Sequence, residues 1–130
     1  MHRQKLKPMK TPLVFLALIL PALAQSTCPA PTPGVPHVCL TWVASVSTGV
    51  TGYNVYRATA AGGENYATPL NSAPVTSVMY YDTTDVVGTT YYYTVTAIGT
   101  GGVMSAPSLE VSAQIPVPPS APTTLVPKID

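Results

Sequence analysis

Between Val38 and Ile115 apolar and polar residues alternate with a period of two, and no stretch sustains the spacing of an amphipathic helix. In Val38-Cys39-Leu40-Thr41-Trp42, residues 38, 40 and 42 point one way, Cys39 and Thr41 the other. A second strand is predicted over residues 52–58, with Tyr53 and Val55 sharing a face. A third covers 78–82, with Val78 and Tyr80 inward. The longest runs over 89–98, placing Tyr91, Tyr93, Val95 and Ala97 on one side and Tyr92, Thr94 and Thr96 on the other. The last covers 109–115. Turn signals separate them at Ser47-Thr48-Gly49, Gly62-Gly63, Val87-Gly88 and Gly99-Thr100-Gly101-Gly102. Short strands at this spacing predict an all-β fold of two antiparallel sheets packed face to face, each burying one side and wetting the other. The same alternation puts Trp42, the single tryptophan, at the centre of a core shared with Tyr53, Tyr91 and Tyr93. Trp42→Ala is then expected to cost about 3–5 kcal/mol. Tyr56, Tyr81 and Tyr92 fall on the outward faces.

The flanks have a different composition. Residues 25–34 hold Pro29, Pro31, Pro33 and Gly34, which predicts an extended lead-in with at most a short edge strand. Residues 116–130 hold Pro116, Pro118, Pro119, Pro122 and Pro127 and read as a semi-rigid polyproline-like tail. The domain itself occupies 35–115. Residues 1–24 combine Arg3, Lys5, Lys7 and Lys10 with an uncharged run over 11–24 and close on Ala22-Leu23-Ala24. Basic start, short apolar middle and small-residue exit are the three parts of a secretory signal peptide, cleaved before Gln25. A membrane anchor is the competing reading, but the run is shorter than the roughly 20 apolar residues that span a bilayer. Lipidation needs a cysteine after the cleavage box, and Gln25 stands there.

Removing the leader changes the charge. Arg57 and Lys128 remain against Glu64, Asp82, Asp85, Glu110 and Asp130: two basic residues, five acidic, a net −3. Nucleic-acid binding needs clustered Lys and Arg, so that partner is not expected, nor is a membrane surface once the leader is gone. Cys28 and Cys39, with ten residues between them, enter a compartment that permits disulfides. An intrachain bridge is the leading reading, with free or intermolecular thiols the alternative. A metal site is not expected, since His37 is the one further ligand nearby and zinc usually takes four.

The order of these signals resembles a fibronectin type III domain of the bacterial, secreted kind, over about 80 of the 130 residues. Val38-x-Leu40-x-Trp42 is similar to the family's second strand, and Thr51-Gly52-Tyr53-Asn54-Val55-Tyr56-Arg57 to its third. The run from Gly88 through Thr89-Thr90-Tyr91-Tyr92-Tyr93-Thr94-Val95-Thr96-Ala97 resembles the sixth. Ser105-Ala106-Pro107-Ser108 resembles the turn into the last strand. The resemblance implies an immunoglobulin-like sandwich of about seven strands, with Tyr91 as the corner tyrosine whose hydroxyl bonds back to the upstream backbone. The family usually carries Leu-x-Pro-Gly before that tyrosine, where this chain has Asp85-Val86-Val87-Gly88. Val86 is expected to replace the missing apolar plug on a shifted loop. Pro119-Ser120-Ala121-Pro122-Thr123-Thr124-Leu125 resembles the opening of a further such domain.

Catalytic equipment is not expected. Asp82 and Asp85 read as turn formers, His37 as an exposed strand-edge residue, and the glycine-rich 99–102 segment as a hairpin tip with no helix behind it to bind phosphate. No cofactor follows from any motif. Tyr56, Tyr81 and Tyr92 are the candidate binding residues, since an outward phenol ring suits protein and sugar surfaces alike. The alternative is that they only pair across strands, Tyr56 with Tyr92. The sequence thus predicts an exported, non-enzymatic, monomeric module for protein interaction, adhesion or spacing. A carbohydrate-binding accessory module is the second reading. Its partner would be an extracellular protein or polysaccharide.

Overall fold

The computed structural model describes residues 27–129, so the leader lies outside the described residues. Five strands succeed one another: β1 (Val38–Thr41), β2 (Val50–Ala58), β3 (Met79–Asp82), β4 (Thr90–Gly99) and β5 (Val111–Gln114). Every boundary lies within two residues of the one the alternation predicts. β1 pairs with β3, while β2, β4 and β5 form a second antiparallel sheet with β4 in the middle. Leu40 lies opposite Tyr80, Val55 opposite Val95, and Tyr93 opposite Val111.

Facing residues from the two sheets build the core: Val38 and Leu40 from β1, Val55 from β2, Tyr91 and Tyr93 from β4, and Ile115 just beyond β5. Tyr53 is buried as its face requires. Trp42 is not the centre. It is half-buried, packs against the edge of the cluster and meets Tyr53 edge-on at 5.3 Å. The chain leaves β1 at Thr41, so the indole sits at the opening between the sheets while Val55 and Tyr93 fill the middle. Its truncation to alanine is accordingly expected to cost nearer about 2 kcal/mol than the full core value; a urea melt measures the difference.

The described residues form five strands where the resemblance implies about seven. The proline-punctuated lead-in contributes only a bridge between Thr32 and Val35. It is tied to β1 instead by the Cys28–Cys39 disulfide, with Cα atoms 5.9 Å apart. Closing a loop of this length stabilises by about 2–3 kcal/mol. Melts with and without reductant should differ by that amount, and Cys39→Ser should abolish the difference.

Between β2 and β3 the chain returns along the free edge of β2 without forming a strand. Tyr53 and Val75 exchange backbone hydrogen bonds of 2.9 Å in both directions, and Leu70 N–H donates to Val55 C=O at 2.7 Å. Between those contacts the side chain of Asn71 does the pairing. Its Oδ1 accepts from Val55 N–H at 2.7 Å, and its Nδ2 donates to Ala73 C=O at 2.8 Å and Asn54 Oδ1 at 3.1 Å. Gly52 permits this approach: a Cβ there would stand 2.9 Å from Pro74 Cβ and 3.2 Å from Val75 O. Gly52→Ala should therefore destabilise by about 1–3 kcal/mol through overpacking, read from the shift in urea midpoint.

This returning segment changes which surfaces are wet. Tyr56, Thr94 and Thr96, outward by alternation, are all buried. Tyr66 covers the first two: its ring lies 4.9 Å from that of Tyr56, and its hydroxyl accepts from Thr94 Oγ1 at 3.4 Å. On the far edge of β4, Ser105 and Ser108 take the place of a ladder. Each donates its N–H to β4, to Ala97 and Val95 respectively, and accepts from the N–H of the same residue through its hydroxyl. The Ser-Ala-Pro-Ser turn works because a serine hydroxyl imitates the carbonyl that a continuous strand would offer.

Candidate functional site

The three candidate tyrosines do not form one surface. Tyr56 is 1% exposed, and its hydroxyl donates to Met104 Sδ at 3.4 Å. It lies opposite Thr94, not Tyr92. Tyr92 is half-buried on β4, opposite Ala58 on one side and Ser112 on the other. Tyr81 sits on the other sheet, half-buried, edge-on to His37 at 5.4 Å. Tyr66, at 41%, is the tyrosine the fold leaves open. It lies in coil, where strand alternation carries no signal about facing.

The ionisable residues have structural partners. Asp82 is fully buried. Arg57 Nη1 donates to its Oδ2 at 2.7 Å and the Tyr93 hydroxyl to the same oxygen at 2.8 Å. Thr84 gives Oδ1 both its N–H and its hydroxyl, each at 2.9 Å. Asp82 thus caps its turn, as the sequence predicts, and also joins β3 to β2 and β4. Burial alone would raise its carboxyl pKa. The Thr84 N–H, the Tyr93 hydroxyl and the Arg57 guanidinium outweigh that and hold it below the usual carboxylate value.

Asp85 clips the start of β1. Its Oδ1 accepts from His37 Nδ1 at 2.6 Å, and its Oδ2 from Val38 N–H at 2.7 Å. His37 is therefore not the exposed edge residue expected; 20% of its side chain is accessible, against none for Asp85. An imidazole held by a carboxylate is half of a nucleophile-activating arrangement. Here the neighbouring ring is that of Tyr81, and Cys39 is consumed in the disulfide.

Tyr91 behaves as a corner tyrosine, its hydroxyl accepting from Val86 N–H at 3.2 Å. Val86 does not replace the plug: it is exposed, and the Arg57 guanidinium covers the Tyr91 ring instead, 4.4 Å from its centroid. Gly88, at φ 78°, lets the chain turn there and donates its N–H to Ile115 C=O at 2.8 Å. Glu110 Oε2 accepts from Gly62 N–H at 2.6 Å, fastening the turn after β2 to the approach of β5. Among the described residues no group of three or more His, Cys, Asp or Glu is placed to hold a metal ion, and no helix is long and apolar enough to cross a membrane.

Two shallow apolar grooves meet at Trp42. One, about 190 Å³, runs past Tyr53, Val95, Ala97 and Pro107. The other, about 310 Å³, lies between Leu40 and Thr41 on one sheet and Tyr93, Leu109 and Val111 on the other.

Two antiparallel sheets, a corner tyrosine and an edge closed by serines define an immunoglobulin-like sandwich module. A solved structure, the crystal structure of a Fn3-like protein from Clostridium thermocellum, is 38% identical and superposes with a TM-score of 0.52, covering 64% of this chain and 79% of that one. The chain belongs to the fibronectin type III-like family. No family model matches it, and no curated protein does.

Proposed function

We propose that this is an exported, non-enzymatic module that serves protein interaction, adhesion or spacing. The observation that carries the reading is the use made of its charged groups. Arg57, Asp82, Asp85, His37 and Glu110 each bind one segment of the sandwich to another, and the strands around them carry Thr, Ser and Tyr. Side chains committed to holding a fold are poorly placed to change protonation during a reaction. The Cys28–Cys39 bridge supports export, because such bonds persist outside the reducing cytosol. The domain is read as 35–115, following a cleaved leader over 1–24 and ahead of a proline-rich tail.

The partner is an extracellular protein or a polysaccharide. Tyr66 and the half-buried Tyr92 are the aromatic residues a sugar would meet, and Tyr56 is not a usable control because its removal opens the interior. Pull-down on insoluble polysaccharides with wild type, Tyr66→Ala and Tyr92→Ala is the test. No retention is expected. Retention that disappears with either tyrosine while the melt is unchanged would establish the carbohydrate-binding role instead, and hydrolysis by purified protein would overturn the non-enzymatic reading.

A further inference from the structure

The covered face of the β2–β4 pair holds more hydrogen-bond donors than it has good acceptors. Asn54 lies opposite Thr96 and Tyr56 opposite Thr94, so these four side chains share that face. Met104 joins them from the other edge of β4. Its backbone bridges to Ile98, two residues beyond Thr96, and its side chain reaches across to β2. Met104 Sδ accepts from the Tyr56 hydroxyl at 3.4 Å and from Asn54 Nδ2 at 3.7 Å. A thioether sulfur is a weak acceptor. Tyr56, 1% exposed, donates to no other atom among the described residues, and its own oxygen accepts from Asn54 Nδ2 at 3.3 Å. The Thr96 hydroxyl, on a residue 3% exposed, has no partner among the described residues. Buried donors are ordinarily paired with good acceptors. Here they have a sulfur.

That sulfur belongs to a side chain an oxidant can reach. Met104 is 48% exposed and lines an open hollow of about 200 Å³ with Ser47, Thr48, Val50 and Val103. Met79, the other methionine among the described residues, is half-buried in β3 opposite Thr41. Both cysteines are joined in the disulfide, so no thiol competes. With a peroxide, a sulfur lone pair attacks one peroxide oxygen. The S–O bond forms as the O–O bond breaks, and the proton passes to the departing oxygen to give water or an alcohol. Sulfur loses two electrons and the peroxide gains them, leaving methionine sulfoxide. In an apolar core this polar product disrupts packing. Beside Tyr56, Asn54 and Thr96 it supplies the strong acceptor that those donors lack, and the flexible methionine side chain can turn its oxygen toward them.

We infer that Met104 is a modification site for peroxides, with the donors of Tyr56, Asn54 and Thr96 forming the cradle that holds its sulfoxide. The inference goes beyond the proposed function and does not rest on it, since it concerns one sulfur and the side chains around it. Oxidation at this position fastens the turn after β4 to β2 more firmly, the reverse of its usual effect on a packed methionine.

The test is stepwise treatment of the purified, disulfide-bonded chain with hydrogen peroxide, followed by peptide mass mapping and urea melts. The first oxygen should appear at Met104 ahead of Met79, and Met104→Leu should lose that first uptake. At the dose that oxidises Met104 alone, the wild-type urea midpoint should rise. Tyr56→Phe removes one donor and should turn the rise into a fall. Thr96→Val removes another at nearly constant volume and should reduce the rise, which keeps the test available where Tyr56→Phe does not fold. Oxidation of Met79 first, or a wild-type midpoint that stays or falls once Met104 carries its oxygen, overturns the inference. An equal rise in wild type and in both donor variants overturns it as well, because the cradle would then hold nothing.

Discussion

Replacing Asp82 by alanine is expected to destabilise the domain by about 3–5 kcal/mol, a large share of what a domain of this size has. The carboxylate is buried between the sheets and receives four hydrogen bonds, from Arg57, Tyr93 and Thr84. Removing it leaves a guanidinium four-fifths buried beside a phenol with no acceptor. That loss differs from an exposed ion pair, which contributes little. Asp82→Asn keeps an acceptor for Tyr93 and the shape of the turn, so it should fall between alanine and wild type. Urea melts of the three proteins decide the matter, and a wild-type midpoint for Asp82→Ala would show that the network holds nothing.

The same carboxylate sets the acid limit of stability. Its folded pKa lies below the ordinary value, so the stabilisation is present above the unfolded pKa of about 4 and is lost as pH falls through the folded value. Tyr93 acts at the other limit. Burial first, and then its hydrogen bond to Asp82, push the phenol well above its usual range. Its contribution is present below the unfolded pKa of about 10 and declines as pH rises beyond it. Thermal melts against pH should show a plateau with a fall on each side, and Tyr93→Phe should reduce the alkaline fall and, by removing one of the donors that hold Asp82 down, weaken the acid one as well.

The second large effect is expected at Asn71. Asn71→Ala should cost about 2–4 kcal/mol, because Val55 N–H, on a residue with no accessible surface, loses its acceptor and the returning segment loses its attachment to β2. Asn71→Leu preserves volume but not the bonds. If hydrogen bonding is what matters, leucine will be as damaging as alanine. If it restores the midpoint, packing alone holds the segment. Hydrogen exchange at Val55 gives a local reading of the same event.

Asn71 also marks a limit of what sequence reasoning can find. It lies in a stretch with no periodicity, where Pro69, Ser72 and Pro74 predict only coil. Nothing in one dimension shows that this coil will lie against the unpaired edge of β2, so an amide side chain that completes the edge looks like any polar loop residue. Tyr66 was hidden for the same reason. The error at Tyr56 follows directly. Alternation states that Tyr56 faces opposite to Val55, which is true, but whether that opposite face meets water depends on what the connecting segment covers.

Asp82, Asp85 and His37 show a further limit. As turn formers and an edge residue they satisfy every local rule, yet the bonds that define them reach Arg57, 25 residues away, and His37 from Asp85, 48 away. Such pairings arise from sheet order, not from spacing along the chain.

Strand positions, the inward set of Val38, Leu40, Tyr53, Val55, Tyr91 and Tyr93, and the turns between them were determined by the sequence alone, because a pleated strand must alternate its faces and glycine must take the positive-φ turns. The corner bond of Tyr91 was legible too, through the motif around it. Only the tertiary structure decided that Trp42 sits at an opening instead of the centre and that Tyr56 is covered. Alternation assigns a side chain to a face, whereas burial depends on what the rest of the chain brings to that face.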